Sequence, residues 1–222
     1  MIYILILLLV LVIAFSYKYA WWKPALDWKR PRVLMYHMVR AHIDGAKFNK
    51  LRVEPKEFEK QVAWMKAEGF HFVTMQELQK NWGKHPEKTV AITFDDGYLD
   101  NLENAYPILE KYQAKATIYV VVDRHDRDWS TYKKAHHNNG ELAREAKLND
   151  KQVQFLANSS LVEIGSHTMT HANLNKLDDV ECLAELTQSK QQLENLTAKS
   201  VTSFAYPFGI YSQRDVILVK QA

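Results

Sequence analysis

The sequence contains very little cysteine. Only one of its 222 residues, Cys182, is a cysteine. A lone cysteine excludes an internal disulfide framework and a metal site built from thiolates. Any metal site in this chain must therefore take its ligands from histidine and carboxylate side chains.

The chain also lacks the low hydrophobic content and high net charge of a disordered protein. Hydrophobic residues make up 47% of it and charged residues 25%, which excludes disordered and collagen-like chains. A length of 222 residues fits one domain of barrel or doubly wound size rather than two. We therefore expect a single hydrophobic core.

An excess of basic residues is absent from most of the chain. The formal net charge is +3, but residues 18–32 alone hold five basic residues against the single acidic residue Asp27. The rest of the chain is therefore close to neutral. Since a nucleic-acid-binding face needs clustered lysine and arginine, we predict no nucleic-acid partner.

The first residues lack charge altogether. Met1–Phe15 is uncharged and strongly apolar, and aromatic residues including Trp21 and Trp22 follow it. This pattern is typical of a membrane helix with an interfacial aromatic cluster. A cleaved signal peptide would have a basic start and a small-x-small cleavage site, and both are missing. We therefore predict a retained membrane anchor over residues 1–22, followed by a basic linker over residues 23–32.

The anchor predicts a single-pass protein of the cell (inner) membrane. The basic residues of the linker would lie in the cytoplasm by the positive-inside rule, and the domain that follows the linker would then lie there too. The pattern does not decide on which side of the membrane residues 33–222 lie.

Short apolar runs alternate with helical patterns through the remaining chain. The predicted strands are Val33–His37, Phe70–Thr74, Thr89–Phe94, Ala116–Val122, Leu161–Ile164 and Val201–Ala205. The predicted helices cover residues 56–68, 101–112, 151–157, 176–196 and 213–222. This alternation predicts an α/β domain with a parallel sheet or barrel, in which chemistry gathers at the carboxyl ends of the strands.

Two carboxylates follow one of these strands. The segment is Thr93-Phe94-Asp95-Asp96-Gly97, where a strongly apolar strand ends in a turn. Taken alone, it is equally well explained as an ordinary Asp-Gly turn.

Two histidines follow another predicted strand. In Ser166-His167-Thr168-Met169-Thr170-His171 they stand four residues apart, a spacing that brings both imidazoles onto one face of a helical turn. Two surface histidines are the simpler explanation of this segment by itself. Together with the paired aspartates at another strand end, the histidines predict a His-His-Asp metal site, and this ligand set suits zinc or a similar divalent ion.

The next predicted strand ends at Tyr206-Pro207-Phe208-Gly209. Proline and glycine shape a turn there, which is sufficient to explain the segment as a strand end. Its functional interpretation is that it directs a backbone N–H and an aromatic ring into the site, as an oxyanion donor and a wall for a sugar ring.

These three segments resemble, in order and separation, the first three motifs of the polysaccharide deacetylases, the NodB-homology group or carbohydrate esterase family 4. The resemblance runs from about Val33 to Gly209. It implies a distorted (β/α) barrel that binds one divalent metal ion, usually zinc, through Asp96, His167 and His171. It also implies that Asp95 is the general base and that the backbone near Phe208 assists the oxyanion. Because residues 213–222 form a predicted helix that no strand follows, we expect a barrel that lacks its closing segment.

Two departures from the family pattern affect the site. Ala205 stands where the family often has an arginine that orients the base. No histidine follows Gly209, where the family has a Leu-x-His motif that supplies the general acid. The sequence resembles the poly-N-acetylglucosamine deacetylase branch, in which an N-terminal strand carries the equivalent histidine. His37 is therefore the candidate acid, and a core histidine bonded to the backbone is the alternative.

The combined interpretation is a membrane-anchored, metal-dependent hydrolase over residues 33–222. It would remove N-acetyl groups from amino sugars of a surface polysaccharide or a lipid-linked glycan. Two alternatives remain open at this point. One is an O-acetyl esterase or deformylase that acts on a related glycan, and the other is a catalytically disabled homologue that only binds glycan.

Overall fold

The computed structural model describes residues 2–24, 27–127 and 140–222. The helices in these ranges are α1 (Ile2–Tyr19), α2 (Pro55–Ala67), α3 (Met75–Lys80), α4 (Tyr106–Tyr112), α5 (Glu141–Arg144), α6 (Asp150–Asn158), α7 (Asp179–Thr197) and α8 (Gln213–Gln221). The strands are β1 (Arg32–Tyr36), β2 (Met38–Val39), β3 (Arg52–Val53), β4 (His71–Val73), β5 (Thr89–Phe94), β6 (Ala116–Val120) and β7 (Val162–Ser166).

Five of the strands form one sheet in which every pairing is parallel, as the sequence predicts. The path runs β1-β5-β6-β7, and β4 also pairs with β5. β5 lies at the centre: it pairs with β4 over Thr89–Ala91 and with β6 over Ile92–Phe94. Within the described ranges the sheet does not close on itself, so these strands form an open part of a barrel.

The main core lies between one face of the sheet and the helices that connect its strands. Alternate residues of β5, including Ile92 and Phe94, are fully buried in it. The predicted stripe of α2, which consists of Phe58, Val62 and Met65, packs against the same core. The predictions for β5 and α2 are thus confirmed by the apolar residues that each buries in this core.

Two elements differ in detail from the prediction. The expected strand 201–205 makes only a single bridge, between Phe204 and Ser166. Along the predicted helix 101–112, Asn101–Ala105 is a wider π-helical turn and α4 begins at Tyr106. Pro107 accounts for this change, because it has no N–H to donate to the carbonyl four residues earlier.

Trp28, which lies between α1 and β1, contacts the domain at the amino ends of its strands. The backbone N–H of Lys88 donates to the carbonyl of Trp28 (2.9 Å), and the ring of Trp28 lies edge-on to the ring of Phe70, with centroids 5.2 Å apart. Phe70 and Lys88 directly precede β4 and β5. Trp28 therefore contacts the end of the sheet opposite the carboxyl ends of its strands.

Candidate metal centre

The two aspartates leave the carboxyl end of β5 in a strained turn. The backbone N–H of Asp95 donates to the carbonyl of Tyr36 at the end of β1 (3.0 Å), which holds the two strand ends together. Asp96 then adopts a left-handed conformation with φ of +75°, and Gly97 one with +71°. Both carboxylates are buried, at 8% and 3% exposure. A left-handed conformation at a buried aspartate costs free energy, and such backbone strain is concentrated at functional sites.

The two histidines leave the carboxyl end of β7 two strands away. The Nδ1–H of His167 donates to the carbonyl of Ala205 (2.9 Å), so in the neutral imidazole Nε2 carries the lone pair that a metal ligand needs. Between the histidines the chain turns sharply, with left-handed φ angles at Thr168 (+68°) and at His171 (+60°). Both imidazoles are buried.

These side chains meet at one point. Oδ1 of Asp96 lies 3.3 Å from Nε2 of His167 and 3.2 Å from Nε2 of His171. The three candidate ligand atoms all lie within 4.8 Å of one another. Within the described part of the chain, the buried Oδ1 of Asp96 accepts no hydrogen bond. One carboxylate oxygen and two imidazole nitrogens that converge at these distances fit a divalent ion such as zinc.

The environment shifts the pKa values of the neighbouring Asp95 and Asp96 carboxyl groups in opposite directions. Burial raises the pKa of Asp95, and the imidazoles of His167 and His37 offset this only in part. Burial acts in the same direction on Asp96, but the imidazoles of His171 and His167 hold its pKa well below the ordinary value. Asp96 is therefore kept anionic, as a metal ligand must be, while Asp95 becomes the more basic carboxylate.

His37 directly follows β1 at the same edge of the sheet. It is half-buried, and its backbone carbonyl accepts a hydrogen bond from Nδ2 of Asn101 (2.8 Å). Its imidazole is close enough to lower the pKa of Asp95, Asp96 and His171 electrostatically. The fold thus brings the candidate acid to the cluster from a motif that is 58 residues away from Asp95 in sequence.

Comparison with known proteins agrees with this geometry. The family model described as polysaccharide deacetylase matches residues 83–222, which is more than half of the chain. The chain belongs to the polysaccharide deacetylase family.

Two curated members of the family are similar over most of this chain. YxkH of Bacillus subtilis, named as a polysaccharide deacetylase, is 34% identical over 197 residues, which cover 87% of this chain and 62% of YxkH. The poly-beta-1,6-N-acetyl-D-glucosamine N-deacetylase of Staphylococcus aureus is 28% identical over 180 residues, which cover 77% of this chain and 58% of that protein. The chain thus spans about three fifths of the length of these relatives.

A solved structure of the family has the same fold. The deacetylase PplD of Streptococcus pyogenes, determined in complex with acetate, aligns with a TM-score of 0.71 and 27% identity. The alignment covers 86% of this chain and 79% of PplD. The α/β fold of the NodB type, inferred above from the motifs, is therefore confirmed.

Phe208 of the third family motif lies against the candidate metal site. Phe208 adopts a left-handed φ of +62°, and its ring lies edge-on to His171 with ring centroids 4.5 Å apart. Pro207 is buried, and Gly209 turns the chain with a φ of +64°. The ring of Tyr206 instead stacks on Tyr211 at a centroid distance of 4.6 Å.

Within the described part of the chain, no lysine or arginine stands in for the missing family arginine at Asp95. The groups whose charge acts on Asp95 are His167, His37 and Asp96, and neither an arginine nor a lysine is among them. Ala205 instead uses its backbone carbonyl to orient His167. Any residue type offers this carbonyl, so alanine at position 205 retains the hydrogen bond to His167.

Two sets of supporting residues were not predicted from the sequence. Asp100 accepts a hydrogen bond from the backbone N–H of Val39 (2.8 Å), and Asn101 binds the carbonyl of His37. Glu185 on α7 binds the loop that contains both metal-site histidines. The position of Asp100 and Asn101 shortly after the paired aspartates is the only hint for the first set, and nothing near Glu185 points to the second.

Proposed function

We propose that this chain is a metal-dependent hydrolase that removes N-acetyl groups from amino sugars of a surface polysaccharide or lipid-linked glycan. The observation that carries the proposal is the convergence of Asp96, His167 and His171 on one point, with the more basic Asp95 beside them. The name of the Staphylococcus aureus relative supports poly-β-1,6-N-acetylglucosamine as the substrate class.

The residues present fit a metal ion, and we propose zinc. Asp96, His167 and His171 would hold it, since a carboxylate and two neutral imidazoles suit zinc and leave coordination positions open. When bound, the ion supplies electrostatic activation of water and of the acetamide carbonyl. Burial lowers the pKa of His171, which favours the neutral imidazole that a ligand requires.

The remaining chemistry is assigned to residues of this chain. Asp95 takes a proton from the attacking water, and its raised pKa makes it a better base near neutral pH. His37 gives a proton to the sugar nitrogen as the C–N bond breaks. One water is consumed, and acetate and an amino sugar leave the site. We assign Tyr206, Pro207, Phe208 and Gly209 to substrate binding, with the backbone near Phe208 as an oxyanion donor.

We further propose that residues 1–22 anchor the protein in the cell membrane and that residues 23–32 link the anchor to the domain 33–222. Helix α1 has 18 residues and none of them is buried. It is long and apolar enough to cross a membrane. At 1.5 Å per residue it is about 27 Å long, close to the ~30 Å hydrocarbon core of a bilayer. A signal sequence passes the same test, so the mature N-terminus decides between the two.

Acetate release from β-1,6-linked N-acetylglucosamine oligomers tests the proposed activity. The full chain, purified in detergent, is assayed with added zinc and with a chelator. We expect acetate release that needs zinc and is lost on chelation. A folded protein that binds zinc but releases no acetate from these oligomers would exclude the deacetylase assignment for this substrate and favour a glycan-binding homologue.

A further inference from the structure

The loop that carries both metal-site histidines rests on one carboxylate from a neighbouring helix. Oε2 of Glu185 on α7 accepts hydrogen bonds from the backbone N–H groups of Met169 (2.9 Å) and Thr170 (3.0 Å). Oε1 of Glu185 accepts a third hydrogen bond, from the Thr170 hydroxyl (2.8 Å). Both oxygens of Glu185 are thus used within the His167–His171 loop.

This loop needs support because its backbone is strained. Thr168 is β-branched and fully buried, yet it adopts a left-handed φ of +68°. His171 is left-handed as well. Such conformations are unfavourable for residues other than glycine and persist only where the surroundings enforce them. Without Glu185, the N–H groups of Met169 and Thr170 would also lose their acceptor, which adds a further penalty.

The other side of the loop is held by the backbone. The carbonyl of Thr168 accepts from the N–H of Val122 (3.2 Å), and the carbonyl of Met169 accepts from the N–H of Asp123 (2.7 Å). One turn along α7 from Glu185, the hydroxyl of Ser189 contacts that of Ser166 at the end of β7 (2.8 Å). The loop is therefore fixed between the end of β6 and one face of α7, and Glu185 is the acidic residue of that face that binds it.

We propose that Glu185 is a positioning residue that holds the His167–His171 loop in the conformation needed to bind the metal ion. Glu185 acts through hydrogen bonds to the loop, and it is not a ligand. This inference rests on the proposed metal-dependent function. It predicts that Glu185 determines how tightly the metal is held.

The chemistry of the contacts identifies a conservative replacement. In Glu185→Gln, the amide oxygen can accept both backbone N–H groups, and the amide NH₂ can donate to the Thr170 hydroxyl, which reverses its own hydrogen bond. Glu185→Ala removes all three bonds. Hydrogen bonding therefore predicts that glutamine rescues the site, whereas a purely electrostatic attraction between the carboxylate and the metal predicts that it does not.

Zinc affinity, measured on the full-length protein by competition with a chromophoric chelator, tests the role of Glu185. We expect Glu185→Ala to weaken zinc binding about 10–100-fold, the range found when groups that orient metal ligands are removed. We expect Glu185→Gln to stay within about 3-fold of the wild type. Amide hydrogen exchange in the metal-free protein should show faster exchange at Met169 and Thr170 in Glu185→Ala alone.

Glu194→Ala is the matched control. Glu194 lies on the same helix and its Oε1 accepts a hydrogen bond from a backbone N–H, that of Val201 (3.0 Å), but it does not contact the loop. Its zinc affinity should equal that of the wild type. Unchanged zinc affinity in Glu185→Ala, or an equal loss in Glu185→Gln and Glu185→Ala, would overturn the positioning role. Failure of the wild type itself to bind zinc would instead overturn the proposed function.

Discussion

At the scale of single residues, the environment gives two neighbouring aspartates of the site different pKa values. Asp95 and Asp96 are adjacent and chemically identical, yet burial raises the pKa of one and two imidazoles lower the pKa of the other. One dipeptide can thereby supply both the proposed base and the proposed metal ligand. The same principle separates the effects of substituting them.

Substitution of the three proposed ligands should abolish metal binding. Asp96→Ala, His167→Ala and His171→Ala each remove one of the three converging atoms.

Asp95→Asn should keep the metal and lower turnover at least about 100-fold, because the amide cannot accept the proton from water. Metal content by mass spectrometry and acetate release together check this expectation. Full activity in Asp95→Asn would show that another group is the base.

His37→Ala should lower turnover by about 100-fold or more and leave metal binding intact. The reason is that His37 lies at the cluster without belonging to the three converging atoms. His71→Ala is a suitable control, since His71 is exposed on β4. A turnover number in His37→Ala equal to that of the wild type would show that a different residue is the general acid.

Asp100 should make stability depend on pH. Burial raises its pKa from 3.8 to about 6 in the folded protein. Between these values the folded chain holds a proton that the unfolded chain has released. The contribution of Asp100 to stability is therefore greatest below pH 4 and falls as the pH rises through 6. The shift corresponds to about 3 kcal/mol at neutral pH.

Asp100→Asn should remove this pH dependence. The asparagine oxygen still accepts the N–H of Val39 but carries no charge, so the free energy of unfolding at pH 7 should rise by up to about 3 kcal/mol. Urea unfolding of metal-free protein between pH 4 and pH 8 measures the difference. Asp44→Asn, at an exposed position, serves as the control. An unchanged pH profile in Asp100→Asn would contradict the assigned cause.

At the scale of elements, the site depends on how closely neighbouring strands pack. Gly165 on β7 faces Tyr119 on β6, and a Cβ atom at position 165 would lie 2.5 Å from the Tyr119 ring and 2.7 Å from Oγ of Ser203. Its φ is not left-handed, so the glycine is required by space and not by backbone conformation. The ring of Tyr119 thus lies directly against the strand that ends in the metal-site histidines.

Gly165→Ala should therefore destabilise the protein by about 1–3 kcal/mol, because overpacking moves the buried ring and the strand apart. Denaturant unfolding measures the loss. In a Tyr119→Ala background the same substitution should cost much less, since the ring that it meets is absent. An equal cost in both backgrounds would show that the clash with Tyr119 is not the cause.

At the scale of the whole molecule, Trp28 and the candidate metal site lie at opposite ends of the sheet. Trp28 contacts the amino ends of β4 and β5, whereas Asp96, His167 and His171 follow the carboxyl ends of β5 and β7. With α1 in a membrane, a linker attached at this end favours a site that faces away from the bilayer. Such a site suits a glycan that extends from the membrane.

The anchor itself should be retained in the mature protein. Mass spectrometry of protein extracted from membranes should show an N-terminus that precedes α1, and carbonate washing should leave the protein in the membrane fraction. Leu9→Arg places a charge in the middle of α1 at a cost of about 2.5–3.5 kcal/mol and should reduce membrane retention. A mature chain that begins after α1 would identify a signal sequence instead.

The sequence by itself determined the features that depend on local pattern and residue chemistry. The apolar run of β5, the stripe of α2 and the three motifs all show in a few consecutive residues. The parallel sheet follows from them because strands alternate with helices. Carboxyl ends of parallel strands share one edge, so the meeting of Asp96 with His167 and His171 was also predictable.

Only the tertiary structure decided the contacts that support the site. Glu185 beneath the histidine loop, the Ala205 carbonyl on His167 and the bond from Asp100 to the segment after His37 join residues 15 to 61 positions apart. No local periodicity records such pairs, because each residue has an ordinary place in its own element. They arise only when the packing of helix against sheet sets the distance between them.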